Sequence, residues 1–208
     1  MLLQPRMRNN RRLSTAALVY LGCFVPVAAV LGLGFWFFVY RNWAYTHSPL
    51  GRLYTAIDAG DVRMVRVLLD QGVSVRGDPA EDEWLPPLED AAGSGQDGIV
   101  SLLIDHGADP EEGSGWGTPL EGAASNGHLS TVRLLIRRGA ARHDRQAELD
   151  YALWRAAVEG QVQCSEYLIQ QGANPKQKAA DTGSLIEACR TLKQPASVKM
   201  LQAHGAKE

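Results

Sequence analysis

Carboxylates are the side chains best placed to do chemistry in the middle of this chain. Twelve Asp and Glu residues lie between Gly77 and Val132 without a single Lys or Arg, whereas the net charge of the whole chain is −2. Clustered carboxylates can bind calcium or attract a cationic surface, but no loop here has calcium-binding spacing. The block therefore favours recognition of a basic protein partner.

Other groups that could support catalysis or cofactor binding are isolated. The five histidines have no metal-ligand spacing; they are His47, His106, His128, His143 and His204. Residues 93–98 read GSGQDG and match GxGxxG, but they follow a helix-type segment and not a strand. We therefore predict no catalytic residue, no cofactor, no metal and no small-molecule substrate.

A repeating unit must position these side chains. Gly72, Gly107, Gly139, Gly172 and Gly205 are spaced 35, 32, 33 and 33 residues apart, and a period of this length marks a repeat array. Alanine and leucine recur at fixed distances before each glycine. One unit cannot bury its apolar face alone, so neighbouring units must stack.

The third copy reads TPLEGAASNGH at residues 118–128 and VRLLIRRGA at residues 132–140. This pattern is similar to the ankyrin repeat, TPLHxAxxxG followed by a leucine-rich second helix. The resemblance covers about residues 48–208 and implies an all-α ankyrin-repeat solenoid within residues 50–208. The five helix-turn-helix repeats would lie at about 50–82, 83–115, 116–148, 149–182 and 183–208, with an irregular turn at Lys193 and Pro195.

The resemblance also implies a binding surface, because ankyrin arrays usually bind proteins through their concave face and the loops called fingers. Acidic side chains would steer a basic partner, and aromatic side chains would anchor it. The candidate residues are Glu81, Asp82, Glu83, Trp84, Glu89, Asp90, Glu111, Glu112, Trp116, Glu121, Ser125, Asn126 and Trp154. An alternative stays open: the acids form a solvated surface and the tryptophans pack between fingers, with packing favoured for Trp154.

An apolar segment precedes the array. From Leu13 to Tyr40 there are 28 residues without a charge, more than the roughly 20 needed to span a bilayer. We predict a basic tail at residues 1–12, a transmembrane signal-anchor helix at 13–40 and a short linker at 41–49. Cleavage after Ala29, or lipoprotein processing at Cys23, are alternatives, but the apolar run is longer than that of a signal peptide.

Arginines around this segment predict its orientation. Four precede it and two follow it, namely Arg6, Arg8, Arg11, Arg12, Arg41 and Arg52. The positive-inside tendency then places the N-terminus in the cytoplasm. In a bacterium, the chain would be a single-pass protein of the inner (cytoplasmic) membrane with a periplasmic array.

Taken together, these features predict a membrane-tethered, non-catalytic protein that mediates protein–protein interaction. It resembles single-span, membrane-anchored bacterial ankyrin repeat proteins. That resemblance leaves two alternative roles open: an immunity protein that neutralises a toxic effector, or a scaffold or assembly factor for a membrane protein complex. The acidic charge disfavours nucleic-acid binding. Cys164 and Cys189 are predicted to be buried thiols, with a disulfide as the alternative.

Overall fold

The computed structural model describes residues 48–77, 85–115, 117–179 and 183–206. The predicted anchor at 13–40 lies outside the described residues, as do Glu81, Asp82, Glu83, Trp84 and Trp116. The array is a compact unit that starts at Ser48. Within the part of the chain that is described, no helix is both long enough and apolar enough to cross a membrane.

Helices alternate along the described array in five pairs. The first helices of the pairs are α1 (Pro49–Asp58), α3 (Pro87–Gly93), α5 (Pro119–Ser125), α7 (Arg145–Val158) and α9 (Leu185–Thr191). The second helices are α2 (Val62–Asp70), α4 (Asp97–Asp105), α6 (Leu129–Arg138), α8 (Val162–Gln170) and α10 (Pro195–Ala203). First helices pack on first helices and second on second, so the predicted helical solenoid is confirmed.

Two short extended pieces lie in the connections between repeats. Strands β1 (Lys178–Ala179) and β2 (Gly183–Ser184) pair in antiparallel fashion, with Lys178 opposite Ser184. Ser114 and Gly117 form an isolated antiparallel bridge before α5. These two connections are the described remnants of the fingers that the repeat pattern predicts.

Leucines at equivalent positions form the core. Those of the first helices are 0–1% exposed: Leu53, Leu88, Leu120, Leu153 and Leu185. Those four residues before each closing glycine are equally buried: Leu68, Leu103, Leu135, Leu168 and Leu201. Each such burial contributes about 1.5–3 kcal/mol relative to exposure. Because every leucine touches its own or an adjacent repeat, stability spreads along the array.

The turn between the two helices of each pair needs a left-handed residue. Gly60, Gly95, Gly127 and Gly160 occupy it with φ between 66° and 80°. In each case the following N–H bonds to the carbonyl five residues back, as between Gln161 and Ala156 at 2.8 Å, which satisfies an orphan carbonyl at the helix end. The fifth repeat has Lys193 here, with φ 56°, so the irregular turn predicted at this point is real.

Replacing Lys193 with glycine should stabilise the array. A side chain in the left-handed region costs about 1–2 kcal/mol, partly offset by the greater entropy of glycine in the unfolded chain. We expect the free energy of unfolding of residues 48–208 to rise by about 0.5–1 kcal/mol in urea titration. Lys193→Ala keeps the strained backbone, so a gain of the same size in that variant would contradict this explanation.

The fourth repeat departs from the others at its start. Helix α7 has 14 residues, whereas α3, α5 and α9 have seven each. Asp144 caps it by accepting a hydrogen bond from the Ala147 N–H at 3.2 Å. Helix thus replaces a finger before the fourth repeat, which the sequence pattern did not predict. At the other end of the array, α1 is capped by Ser48, so the last two residues of the predicted linker belong to the first helix.

The two described cysteines are free, buried thiols. Cys164 and Cys189 are 1% and 0% exposed. Burial raises the pKa of each thiol to about 11. At neutral pH both therefore remain protonated and behave as small apolar side chains.

Candidate functional site

Three partly buried carboxylates follow one another along the first helices and are called here the acidic stripe: Asp90 on α3, Glu121 on α5 and Glu148 on α7. Burial raises the pKa of all three. Neighbouring carboxylates raise them further: Asp58 acts on Asp90, Glu89 on Glu121, and Glu121 on Glu148. Negative charge therefore accumulates on this face without full compensation.

Positive charge from the same chain reaches the acidic stripe only weakly. Arg155 on α7 attracts the Glu121 carboxylate, yet burial still leaves the pKa of Glu121 raised. Thr118 donates a hydrogen bond to Glu148 at 3.3 Å, and the pKa of Glu148 remains raised as well. A cationic group supplied from outside would relieve both the repulsion and the poor solvation. This face is therefore electrostatically suited to a basic ligand.

Neutralising the acidic stripe should stabilise the free array at neutral pH. A carboxyl whose pKa is raised in the folded state contributes stability below its unfolded pKa, and that stability is lost as pH rises through the folded pKa. The variant Glu121→Gln/Glu148→Gln should therefore gain stability relative to wild type between pH 4 and pH 7, by less than about 1 kcal/mol per site since both are partly solvated.

Glu187 provides a control of opposite sign for that measurement. Hydrogen bonds from the Ser184 backbone and side chain hold the pKa of Glu187 below its usual value, as part of a capping box. Its stabilisation is present above the unfolded pKa and is lost as pH falls. Glu187→Gln should therefore lose ground relative to wild type between pH 4 and pH 7. Parallel trends in the two variants would contradict the assignment.

Glu89 lies inside the array, although the sequence analysis placed it on a partner-binding surface. It is 7% exposed and accepts hydrogen bonds from the Ser114 N–H at 2.9 Å and from Ser114 Oγ at 3.0 Å. Burial raises its pKa, with those hydrogen bonds acting in the opposite direction. In this structure the carboxylate holds the next connection in place, which a consensus histidine position gives no reason to expect.

Glu111 and Glu112 are also engaged within the chain. Glu112 pairs with Arg76 of the preceding repeat at 3.0 Å, and Glu111 accepts hydrogen bonds from the His143 ring and from the backbone of Arg142 and His143. Burial opposes ionisation of Glu111, but those bonds outweigh it and hold its pKa below the usual range. The expectation that both side chains are free for a partner is not met.

The remaining predicted residues divide between packing and exposure. Trp154 is partly buried and packs against the core, which agrees with the alternative favoured for it. Asn126 is exposed and donates to the Gly93 carbonyl at 2.7 Å, so it joins two repeats. Ser125 is partly exposed at the end of α5.

Tyr151 is the exposed aromatic residue that sequence reasoning missed. It lies on α7, one helical turn after Glu148, and is 64% exposed. Residues three apart on a helix lie on one face, so a large aromatic side chain stands beside the acidic stripe. Its signal in the sequence was its place at the usual threonine of TPLH, where a bulky aromatic cannot act as a helix cap.

Chemistry other than binding has no support on this surface. Among residues 48–77, 85–115, 117–179 and 183–206, no three His, Cys, Asp or Glu side chains are grouped so that they could hold a metal ion. Residues 93–98 form the end of α3, a turn and the start of α4. They are therefore part of a helical hairpin, as the repeat pattern predicted.

Comparison with known proteins agrees with the fold. The family model for ankyrin repeats (3 copies) matches residues 116–208. The crystal structure of the human ASB11 ankyrin repeat domain superimposes with a TM-score of 0.65 at 24% identity, covering 74% of this chain and 69% of that one. The mouse 2-5A-dependent ribonuclease is 42% identical over 59 residues, which span 28% of this chain and only 8% of the ribonuclease. Residues 116–208 are therefore ankyrin repeats, and the described array has the ankyrin-repeat fold.

Proposed function

We propose that this chain is a non-catalytic, membrane-tethered protein that binds a basic protein partner on the face formed by α3, α5 and α7. Ankyrin repeats act typically as protein-interaction modules, which supports the general class of function. The acidic stripe supports the basic character of the partner. Tyr151 supplies an exposed aromatic anchor beside it, of the kind that dominates many interfaces.

The observation that carries this proposal is the raised pKa of Asp90, Glu121 and Glu148. Solvated carboxylates on an ordinary surface have no such shift. Here partial burial and mutual repulsion destabilise the ionised forms, and a cationic partner would stabilise them. Charge complementarity would also accelerate association at low ionic strength.

Membrane attachment is part of the same proposal. The charge-free segment 13–40 is long enough for a bilayer span. The arginine distribution favours a cytoplasmic N-terminus and an extracytoplasmic array, in the periplasm if the protein is bacterial. Eight residues separate Tyr40 from Ser48, so the array would lie within about 28 Å of the bilayer surface. A partner that is itself attached to the membrane would meet it there.

Site-specific crosslinking in cells tests the binding face. A photo-reactive amino acid replaces Tyr151 in the full-length chain, and a matched chain carries it at the exposed Arg137 on α6. We expect one dominant protein with a basic surface to be captured from position 151 and not from position 137. Glu121→Lys/Glu148→Lys should abolish the capture, because the partner would meet repulsion in place of attraction.

Two outcomes would count against the proposal. Equal capture from positions 151 and 137 would show that the face has no special role. Capture that survives the double charge reversal would show that the acidic stripe is a solvated surface only. Glu89→Lys is unsuitable for this experiment because Glu89 is buried, and its loss would test folding and not binding.

A further inference from the structure

One helix surface carries most of the exposed apolar area of the described array. Large exposed hydrophobic side chains among the described residues are five: Val62, Met64, Val67, Tyr151 and Leu192. Three of these belong to α2, the second helix of the first repeat. Because α2 is at the beginning of the stack, no preceding described repeat covers these side chains.

Arginines accompany these apolar groups. Arg63 and Arg66 are exposed on the same helix, and Arg52 of α1 places its Nη2 4.0 Å from Met64 Sδ. None of the three forms a salt bridge within the described residues. The set Arg52, Val62, Arg63, Met64, Arg66 and Val67 is called here the α2 patch.

Nearby carboxylates are occupied elsewhere. Asp61 caps α2 by accepting hydrogen bonds from the N–H groups of Arg63 and Met64, both at 3.1 Å. Asp70 lies 3.6 Å from His106 of the next repeat. Asp58 acts electrostatically on Asp90, at the acidic stripe. The α2 patch therefore presents positive charge together with apolar side chains.

We propose that the α2 patch lies against anionic lipid headgroups of the membrane to which the chain is tethered. This inference rests on the anchoring part of the proposed function. Basic side chains near an anionic bilayer gain about 1 kcal/mol each, and apolar side chains of an amphipathic helix enter the headgroup boundary. Buried Val65, Leu68 and Leu69 hold α2 in place, so its lipid-facing side is preorganised.

Charge argues against a second copy as the occupant. The opposite end of the array also has an exposed apolar residue, Leu192, and it too is basic, with Arg190, Lys193 and Lys199 around a shallow groove. Stacking the two ends head to tail would bring arginines against lysines. Two α2 patches meeting each other would repel in the same way. An anionic lipid surface has the complementary sign.

Fluorescence quenching on the full-length chain tests the lipid contact. Val67→Cys is labelled with an environment-sensitive dye after Cys23→Ser, since the buried thiols of Cys164 and Cys189 are protonated and shielded. The chain is reconstituted in vesicles of phosphatidylcholine, alone or mixed with phosphatidylglycerol. We expect a blue-shifted emission and about twofold weaker iodide quenching in the anionic vesicles.

Control variants isolate the charges and the position. Arg63→Glu/Arg66→Glu should remove the difference between the two vesicle types. Arg137→Glu/Lys199→Glu makes the same change of charge at exposed sites elsewhere and should retain it. A dye on Leu192→Cys, at the far end of the array, should be quenched equally in both.

Each remaining outcome overturns a distinct statement. Equal quenching of the dye at position 67 in both vesicle types would overturn the lipid contact. Equal protection in vesicles and in detergent micelles, unaffected by the arginine reversal, would show that protein covers the patch and would overturn it too. Release of the unmodified chain from vesicles by alkaline carbonate would instead overturn the anchoring itself.

Discussion

Replacing Gly113 with alanine is expected to break the connection between the second and third repeats and to destabilise the array by about 3 kcal/mol. A Cβ at this position would lie 2.1 Å from the Gly117 carbonyl oxygen, 2.8 Å from its carbonyl carbon and 3.0 Å from Thr118 Cα. All three are backbone atoms, so no rotamer change can relieve the overlap. The chain must move instead.

Movement there would break hydrogen bonds that close the connection. The Ser114 N–H donates to the Gly117 carbonyl at 3.0 Å, and the Gly117 N–H donates to the Ser114 carbonyl at 3.3 Å. Each contributes about 0.5–1.5 kcal/mol, and overpacking adds about 1–3 kcal/mol. Urea denaturation of residues 48–208, which form their own compact unit, measures the loss.

Gly115 is the matched control, two residues away in the same connection. A Cβ there would meet nothing within 4 Å, and its φ is outside the left-handed region. Gly115→Ala should therefore leave the free energy of unfolding within about 0.5 kcal/mol of wild type. A similar loss in both variants would show that the connection tolerates no side chain at all and would remove the steric explanation.

The repeated pattern predicted the array well because each position obeys a local rule. Leu120 and Leu135 have counterparts in every repeat, and one period of about 33 residues was enough to predict their burial. Gly127 and Gly139 are in the left-handed region that ends a helix, at φ 80° and 102°. Those requirements belong to a single repeat, so the sequence of that repeat reveals them.

The acidic side chains were harder to place, because their roles depend on partners about 25 to 36 residues away. Glu89 is bonded to Ser114, Glu112 to Arg76, and Glu111 to His143. Each partner belongs to an adjacent repeat, and the repeat pattern says nothing about non-consensus pairs. Burial and pairing separate these three carboxylates from the acidic stripe, whereas composition alone treats all of them as equal.

Tyr151 was missed for a related reason. The pattern placed it at the start of a seven-residue helix, whereas α7 begins six residues earlier, at Arg145. The extension puts Glu148 and Tyr151 on one continuous helix face. Local signals for this helix start exist in Asp144 and Glu148, a cap and an acidic first turn, but the expectation of a finger outweighed them.

Loss of the Glu89 carboxylate is the second large effect that we expect. Glu89→Ala should lower the free energy of unfolding of residues 48–208 by about 2–3 kcal/mol at pH 7. The substitution removes the acceptor for both Ser114 hydrogen bonds and leaves a small void beside Leu88 and the connection. Glu112→Ala removes an equal charge, but its pair with Arg76 is solvated, so it should cost less than about 1 kcal/mol.

Glu89→Gln and Ser114→Ala separate the hydrogen bonds from the charge. Glutamine keeps an acceptor for the Ser114 N–H, so Glu89→Gln should retain most of the stability that alanine loses. Because burial raises the pKa of Glu89, wild type loses stability relative to Glu89→Gln as pH rises from 4 to 7. In a double-mutant cycle, Glu89→Ala and Ser114→Ala should be coupled by about 1 kcal/mol or more. Additive effects would mean that Glu89 acts through its volume alone, and that the connection before α5 is held by its own backbone hydrogen bonds.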